Sequence, residues 1–489
     1  MPQITVTRLD SGGLTAAGDS VCTLGHVLPE RRGIADGVYA GWNWTGTELL
    51  LQSDRYGLFP LFVSTDAKRC VVASDLTLVL DAQTPIAFDY DALSVFLRLG
   101  FFVGDDTPFA GVRAVPPGAT LNWSRSGPSV TGRYPVPSTH ALTRDEAIDA
   151  FISRMNQAIA SRLSRAPFTL PLDGDCESRH ILFALVAARC APEACITLED
   201  DPDRGDGEVA VTAAICSRLG IPHVKVPPLG ERGRLEREKN RRTHFCTEAL
   251  AQVIALADYL RDVTDVTYHR IGGDLAHWSD LNGEMRRRYE GGGESALAAY
   301  LLDGYGDAVS DDALAQLLSR DMLREVPRER AIARLQREIA RHLDAPNPVS
   351  SFIFWNRTRR ATALLPFALM RDIRVYAPFL DPGVFDLLAG LPAAMLMDGA
   401  FHTDAVARAY PRLADIPYAS RCRRMRRRTW ERRFARDLIR DLLHAPTQRS
   451  GGLLPRAVAT VLDADSDRLW YAPLAVYLAQ LGALADRDR

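Results

Sequence analysis

From about residue 143 onward, the sequence alternates between short apolar runs and helical stretches, and this pattern constrains the fold most strongly. The helical stretches include residues 209–219 and 247–260, and after about residue 295 the sequence is mostly helical with Gly and Pro breaks. Strands that alternate with helices pack as a parallel sheet with right-handed crossovers. This part is therefore predicted to be an α/β domain with a helical C-terminal region. Its strand candidates are residues 168–172, 194–198, 223–226 and 263–268.

The first third of the sequence has a different pattern, that of a β-rich domain with turns. Its short alternating runs are separated by Gly, Asp and Thr clusters, which predicts a sandwich of short strands. Residues 134–139 include two prolines that end this domain, and Thr143 and Glu146 offer a capping box for the next helix. We therefore predict domains at residues 1–135 and 143–489. The strand candidates of the first domain are residues 37–44, 49–51, 61–64 and 70–73.

Composition argues against several classes of protein. The 489 residues are 47% hydrophobic and 25% charged, as in a soluble protein with at least two cores. A net charge of −2 argues against a general nucleic-acid binder, and no apolar run reaches the roughly 20 residues that span a bilayer. Without a basic and then apolar start, the chain is predicted to be cytoplasmic. The eight cysteines show no CxxC pair or other metal spacing, so most are expected to be reduced.

Residues 171–180 read Pro-Leu-Asp-Gly-Asp-Cys-Glu-Ser-Arg-His and join an apolar strand candidate to a helical run. A tight turn between a strand and a helix aims backbone N–H groups at a phosphate. Here, however, Asp173, Asp175 and Glu177 stand where a phosphate cradle needs glycine and hydroxyl groups. The loop is therefore either altered to hold a metal, disabled, or simply an acidic solvated turn.

The loop resembles the pyrophosphate-binding loop of the asparagine synthetase family, whose pattern is Ser-Gly-Gly-x-Asp-Ser. Further stretches in family order extend the resemblance over most of the chain. It implies a two-domain α+β and α/β fold, with an Ntn-hydrolase-like N-terminal sandwich and a PP-loop ATP-pyrophosphatase-like domain. The matching stretches are residues 37–42 (GVYAGW), 54–62 (DRYGLFPLF), 115–118 (VPPG), 271–274 (IGGD) and 376–381 (YAPFLD).

The resemblance implies ATP-dependent amide formation. In the family, a carboxylate attacks the α-phosphate, pyrophosphate leaves, and an amine captures the acyl-adenylate. The family's N-terminal cysteine, which releases ammonia from glutamine, is replaced here by Pro2, and Cys22 lies too far along the chain. As in the β-lactam synthetases, we predict an amide ligase without glutaminase activity, here in peptide (lasso-peptide-like) or small-molecule biosynthesis. Its substrates would be a small-molecule or peptide carboxylate and an amine acceptor, with a possible partner enzyme. The alternative is a non-catalytic scaffold or binding protein.

The same resemblance assigns roles to individual residues. The basic run 421–433 contains the candidate that would replace a family lysine at the nucleotide phosphates. A solvated basic helix or flexible loop is an equal alternative, and docking of an acidic peptide or partner is a third. His180 and His223 are interpreted as structural. The implied catalytic residues are Glu177, Asp274 and Arg424; the implied ATP-binding residues are Asp173, Gly174, Asp175, Ser178, Arg179, Leu198, Gly272 and Gly273; and the implied Mg²⁺ ligands are Glu177, Asp274 and Asp173.

Overall fold

The computed structural model describes residues 1–31, 33–82, 85–132, 134–199, 207–227, 232–276, 280–305, 308–418 and 472–485. Its first part is an antiparallel sandwich of two five-stranded sheets with strand orders β2-β1-β7-β6-β8 and β10-β9-β5-β4-β3, which confirms the predicted β-rich domain. The strands are β1 (Gln3–Arg8), β2 (Leu14–Gly18), β3 (Val21–Arg31), β4 (Ile34–Trp44), β5 (Glu48–Ser53), β6 (Phe62–Thr65), β7 (Arg69–Ala73), β8 (Val112–Ala114), β9 (Thr120–Ser124) and β10 (Gly127–Thr131).

The sandwich follows from the alternation of side chains along its strands. In β5, Leu49 and Leu51 are fully buried while the residues between and beside them are partly or fully exposed. In β4, Val38, Ala40 and Trp42 face the same core. Two helices follow within this part of the chain, α1 (Leu76–Leu80) and α2 (Tyr90–Leu99).

The second part contains the predicted parallel sheet. Strands β11 (Thr169–Pro171), β12 (Ala194–Leu198) and β13 (His223–Val226) pair in parallel, as do β14 (Val266–Tyr268) and β15 (Arg374–Tyr376). The hydroxyl of Thr267 donates to the carbonyl oxygen of Thr169 over 2.8 Å, which places β14 beside β11. The strands therefore run side by side in the order β13-β12-β11-β14-β15.

The helices surround this sheet. The first, α3 (Arg144–Ala160), begins with the predicted capping box, because Thr143 and Glu146 exchange side-chain and backbone hydrogen bonds. The others are α4 (Cys176–Ala187), α5 (Gly207–Leu219), α6 (Arg232–Arg242), α7 (Ile254–Val263), α8 (Asp280–Gly304), α9 (Asp311–Leu317), α10 (Arg320–Glu325), α11 (Arg328–Ile339), α12 (Pro348–Ile353), α13 (Pro382–Gly390), α14 (Ala393–Leu396), α15 (Phe401–Ala409) and α16 (Ala472–Ala485). Two π-helical segments span Phe354–Thr362 and Leu365–Leu369, and 3₁₀ turns lie at Ala251–Val253, Gly273–Ala276, Ala340–His342, Pro378–Leu380 and Pro411–Leu413.

One helix prediction was wrong at its start. The stretch 247–260 becomes helical only from Ala251, because Leu250 takes a left-handed backbone with φ of 84° that ends the preceding turn. Helix α7 then runs on to Val263, so that β14 begins at Val266 and not at 263. Among the residues that the structure describes, no helix combines the length and apolar character needed to cross a bilayer.

The buried side chains do not separate at the predicted domain boundary. One cluster joins Leu51 of β5 and Trp42 of β4 to Phe151 of α3, and another joins Phe96 of α2 to Tyr477 of α16. Polar contacts also cross the boundary. Arg162 donates to Asp36 over 2.5 Å and to Asp381 over 3.0 Å, and all three side chains are at least nine-tenths buried. The two parts therefore share hydrophobic cores.

Candidate functional site

Two loops meet where the order of the parallel strands reverses. The first loop (residues 172–178) follows β11 and leads into α4, and the second loop (residues 269–274) follows β14. Strand β11 has β12 on one side and β14 on the other. Ligands in open α/β sheets bind in the crevice outside the carboxyl ends of the strands at such a reversal. This crevice is therefore the candidate site.

The carboxylate of Asp173 accepts hydrogen bonds from two donor groups of the first loop. Its Oδ1 accepts a hydrogen bond from the backbone N–H of Asp175 over 3.2 Å and from the hydroxyl of Ser178 over 2.5 Å. Backbone N–H groups and a hydroxyl at the start of a helix are the groups that bind phosphate in comparable loops. The side chain of Asp173 therefore lies where an anion would be bound.

Arg270 of the second loop is the counter-charge to this carboxylate. Its Nε lies 2.9 Å from Asp173, and its Nη1 lies 3.5 Å from Asp175 and 3.8 Å from Glu177. These carboxylates, Asp173 above all, raise the pKa of the guanidinium, so it stays charged. The sequence analysis missed Arg270. The signal was a basic residue directly before Ile271-Gly272-Gly273-Asp274, facing a loop with three carboxylates.

The two loops are in direct contact through Glu177 and Gly273. A Cβ atom at Gly273 would lie 2.6 Å from Cγ of Glu177, so no larger residue fits there without displacing that carboxylate. Gly272 has φ of +90°, a conformation that favours glycine. Asp274 accepts a hydrogen bond of 2.8 Å from the hydroxyl of Thr358. The side chain of Asp274 is open to solvent on one side; the protein packed around the rest raises its pKa, Thr358 opposes this effect, and the charge of Glu177 adds to it.

These contacts do not fit the ATP and Mg²⁺ site that the resemblance implied. Two donors of the first loop bind the carboxylate of Asp173, and an arginine lies among the carboxylates that were expected to bind the metal. Within the described ranges, no group of three or more His, Cys, Asp and Glu side chains is arranged to hold a metal ion. Arg270 pairs with Asp173 and lies 3.8 Å from Glu177, and a Mg²⁺ site formed by Asp173, Glu177 and Asp274 stays a prediction.

The structure describes three of the other implied residues, Gly174, Arg179 and Leu198, and does not describe Arg424. Arg179 donates from Nη1 to the carbonyl of Ile416 and from Nη2 to that of Pro417, each over 2.8 Å, so its guanidinium ties α4 to that segment. Gly174 is buried in the first loop, and Leu198 is half-buried at the end of β12. Arg424 and the whole run 421–433 lie outside the described residues.

The first domain offers no activated thiol in the described structure. Its two cysteines, Cys22 and Cys70, are both buried in the sandwich. Burial raises the pKa of Cys22 to about 11 and that of Cys70 to about 12. Because the thiolate is the nucleophilic form, neither residue is poised to attack a carbonyl at neutral pH.

The sandwich has known relatives by sequence. Residues 30–134 match the glutamine amidotransferase domain family. This amidotransferase-type region begins just before β4 and ends after β10. The chain is also 28% identical over 212 residues to proteins assigned as glutamine-hydrolyzing asparagine synthetases from Mycobacterium bovis and Mycobacterium tuberculosis H37Rv, which covers 41% of this chain. The match spans 32% of the length of those relatives.

Solved structures add little to this relationship. Among them, the glutamine phosphoribosylpyrophosphate amidotransferase from Bacillus subtilis, in complex with ADP and GMP, is 14% identical. The alignment covers 50% of this chain and 44% of the other, with a TM-score of 0.13. A superposition this poor carries no argument. The sequence matches and the observed sheets support an amidotransferase-type first domain and a distant similarity to asparagine synthetases.

A buried histidine pair behind α4 gives a prediction on acid stability. Nδ1 of His180 lies 3.0 Å from Nε2 of His402, and both rings are fully buried. Burial, and then His402, hold the pKa of His180 well below its usual value. The folded protein therefore keeps His180 neutral while the unfolded chain binds a proton below about pH 6.5, so folding stability falls as the pH drops.

Replacing His180 with glutamine should remove part of this acid sensitivity. One histidine that stays neutral on folding costs about 2 kcal/mol between pH 8 and pH 5. Acidification from pH 8 to pH 5 should therefore destabilise the His180→Gln variant by about 2 kcal/mol less than it destabilises the parent protein. This difference does not depend on the stability of the variant at pH 8. Urea denaturation at both pH values measures it, with half-buried His140 changed to Gln as control. Equal losses in parent and His180→Gln would contradict a neutral buried pair.

Proposed function

We propose that this asparagine synthetase-like protein no longer binds ATP in its nucleotide loop and acts as a non-catalytic binding or scaffold protein. The observation that carries the proposal is the carboxylate of Asp173, which accepts the hydrogen bonds of the loop and pairs with Arg270. Asp173, Asp175, Glu177 and Asp274 leave the crevice with more negative than positive charge.

Charge repulsion supports this reading. Two like charges about 4 Å apart repel by roughly 4 kcal/mol at an effective dielectric constant near 20, and a pyrophosphate group carries several charges. Asp175 also stands where the family pattern has glycine, and its side chain adds both bulk and charge at the start of α4. A nucleotide would have to displace Asp173 and overcome the remaining carboxylates.

A second candidate is an ATP-dependent amide ligase that works through an acyl-adenylate and does not hydrolyse glutamine. Glu177 and Asp274 remain at the meeting point of the two loops, which is what favours it. The guanidinium of Arg270 is also 43% exposed, and ion pairs open to solvent contribute only about 0 to 1 kcal/mol. Asp173 could then leave the loop at modest cost. In this case a peptide or small-molecule carboxylate, an amine, ATP and Mg²⁺ would be the substrates and cofactors.

Exchange of labelled pyrophosphate into ATP separates the two candidates. We expect the native protein to show no exchange above background with a panel of amino-acid, peptide and aromatic carboxylates, and calorimetry to show no binding of Mg·ATP. The same preparation should release no glutamate from glutamine, since Cys22 and Cys70 are buried. Carboxylate-dependent exchange that is lost in Glu177→Gln, and kept in the exposed control Glu193→Gln, would establish the ligase and refute the non-catalytic proposal.

A further inference from the structure

A cavity of about 260 Å³ opens between the start of α2, strand β8 and helix α11. All eight of its lining side chains are charged, four arginines and four carboxylates. It shares no residue with the two loops of the crevice. Ligand pockets usually measure about 300 to 1,000 Å³ and are mostly apolar, so this cavity suits a smaller and strongly polar molecule.

The floor of the cavity is negative. Glu338 is almost fully buried there, and Asp106 and Asp89 are nearly so. Arg334 is the floor's one guanidinium, 2.8 Å from Asp106 and 3.2 Å from Glu338. His342, 3.8 Å away, and the charges of Arg341 and Arg334 overcome burial and lower the pKa of Glu338 to about 2. Burial raises the pKa of Asp106, but Arg334 and Arg113 oppose that rise.

The rim of the cavity is positive. Arg113, Arg337 and Arg341 stand there with side chains that are 46%, 63% and 48% exposed, and Asp91 is the rim's one carboxylate. Arg337 pairs with Asp91 over 3.0 Å, and Arg113 reaches down to Asp89 over 2.9 Å. The rim has three guanidiniums against one carboxylate, and the floor has the reverse. Two of the rim arginines also reach the floor, Arg113 to Asp106 over 3.1 Å and Arg341 to Glu338 over 3.3 Å, so the charge changes gradually from mouth to base.

We propose that this cavity binds a small zwitterion, with an ammonium group toward the floor and a carboxylate toward the rim. A ligand with both charges complements both layers at once, and charge-assisted hydrogen bonds to guanidinium and carboxylate groups are the stronger kind. A ligand with only one charge satisfies one layer and is repelled or left unpaired at the other. The ligand class is therefore an amino acid or another short compound that carries an amine and a carboxylate.

Calorimetry on the full-length protein tests this with defined probes. L-alanine and γ-aminobutyrate are the zwitterions, which differ in the spacing of their charges, and n-butylamine and butyrate carry one charge each at the same ionic strength. We expect at least one zwitterion to bind saturably, and at least about tenfold more tightly than either singly charged probe, a difference of about 1.4 kcal/mol. The proposal would be overturned if no zwitterion binds at about 10 mM. It would also be overturned if butylamine or butyrate binds as tightly as the zwitterions do.

Two rim variants locate the binding. Arg337→Gln and Arg113→Gln remove partly exposed guanidiniums, and we expect at least one of them to weaken zwitterion binding by tenfold or more. Arg287→Gln, an exposed arginine of α8 paired with Glu284, is the matched control and should bind as the parent does. Urea midpoints confirm that each variant is folded. Unchanged affinity in both rim variants would place the ligand elsewhere and refute the assignment, whatever the outcome of the ATP experiments.

Discussion

Replacing Arg162 with methionine is expected to cost about 3 to 5 kcal/mol of folding free energy, the usual cost of removing one partner of a buried ion pair. Arg162 lies between Asp36 and Asp381, and all three side chains are at least nine-tenths buried. Methionine keeps most of the volume but leaves two carboxylates without their cation. The shift of the urea unfolding midpoint measures the loss.

The pH dependence of that loss identifies its cause. Burial raises the pKa of Asp36 and Arg162 opposes this rise, so the variant should raise it further above the unfolded value. A group with a raised folded-state pKa destabilises the protein as the pH increases, so the penalty should be larger at pH 8 than at pH 5. Arg408→Met, which breaks only exposed contacts to Asp145 and Asp149, should move the midpoint little. A penalty that is the same at both pH values would point to lost packing alone.

Changing Asp173 to serine and Asp175 to glycine is expected to create the ATP binding that the non-catalytic proposal denies to the native protein. The change removes two carboxylates from the first loop, frees the N–H of residue 175 and the hydroxyl of Ser178, and releases Arg270 for an incoming phosphate. Repulsion of roughly 4 kcal/mol per close pair, reduced by solvent at this half-exposed site, suggests an affinity gain of about 100- to 1,000-fold. Calorimetry with Mg·ATP measures this gain.

The matched control for this double variant is Asp145→Ser with Asp149→Gly on the exposed face of α3. It removes the same number of charges and leaves the crevice untouched, so it should not bind ATP. If the native protein already binds Mg·ATP as tightly as the loop variant does, Asp173 does not block the loop. The non-catalytic proposal would then fall and the ligase candidate would remain.

The amino-acid sequence predicted the elements of the fold well. The runs at 194–198 and 223–226 coincide with β12 and β13, and Thr143 and Glu146 form the capping box that begins α3. Such features depend on residues that are neighbours along the chain, whose hydrophobic period and capping groups are visible in the sequence. The same holds for the acidic first loop, whose position between a strand and a helix was readable before any contact was known.

Only the tertiary structure showed which side chain is the charge partner of the acidic loop. Sequence reasoning expected Asp173, Glu177 and Asp274 around a metal, whereas Arg270, almost a hundred residues from Asp173, pairs with that loop. The charged cavity is likewise formed by residues as far apart as Asp106 and Arg334. Periodicity and spacing report on neighbours along the chain, but the charge partner of a side chain is set by which strands and helices pack together. The sequence determined where the charges stand along the chain, and the packing of β11 beside β14 and of α11 beside α2 determined which of them neutralise each other.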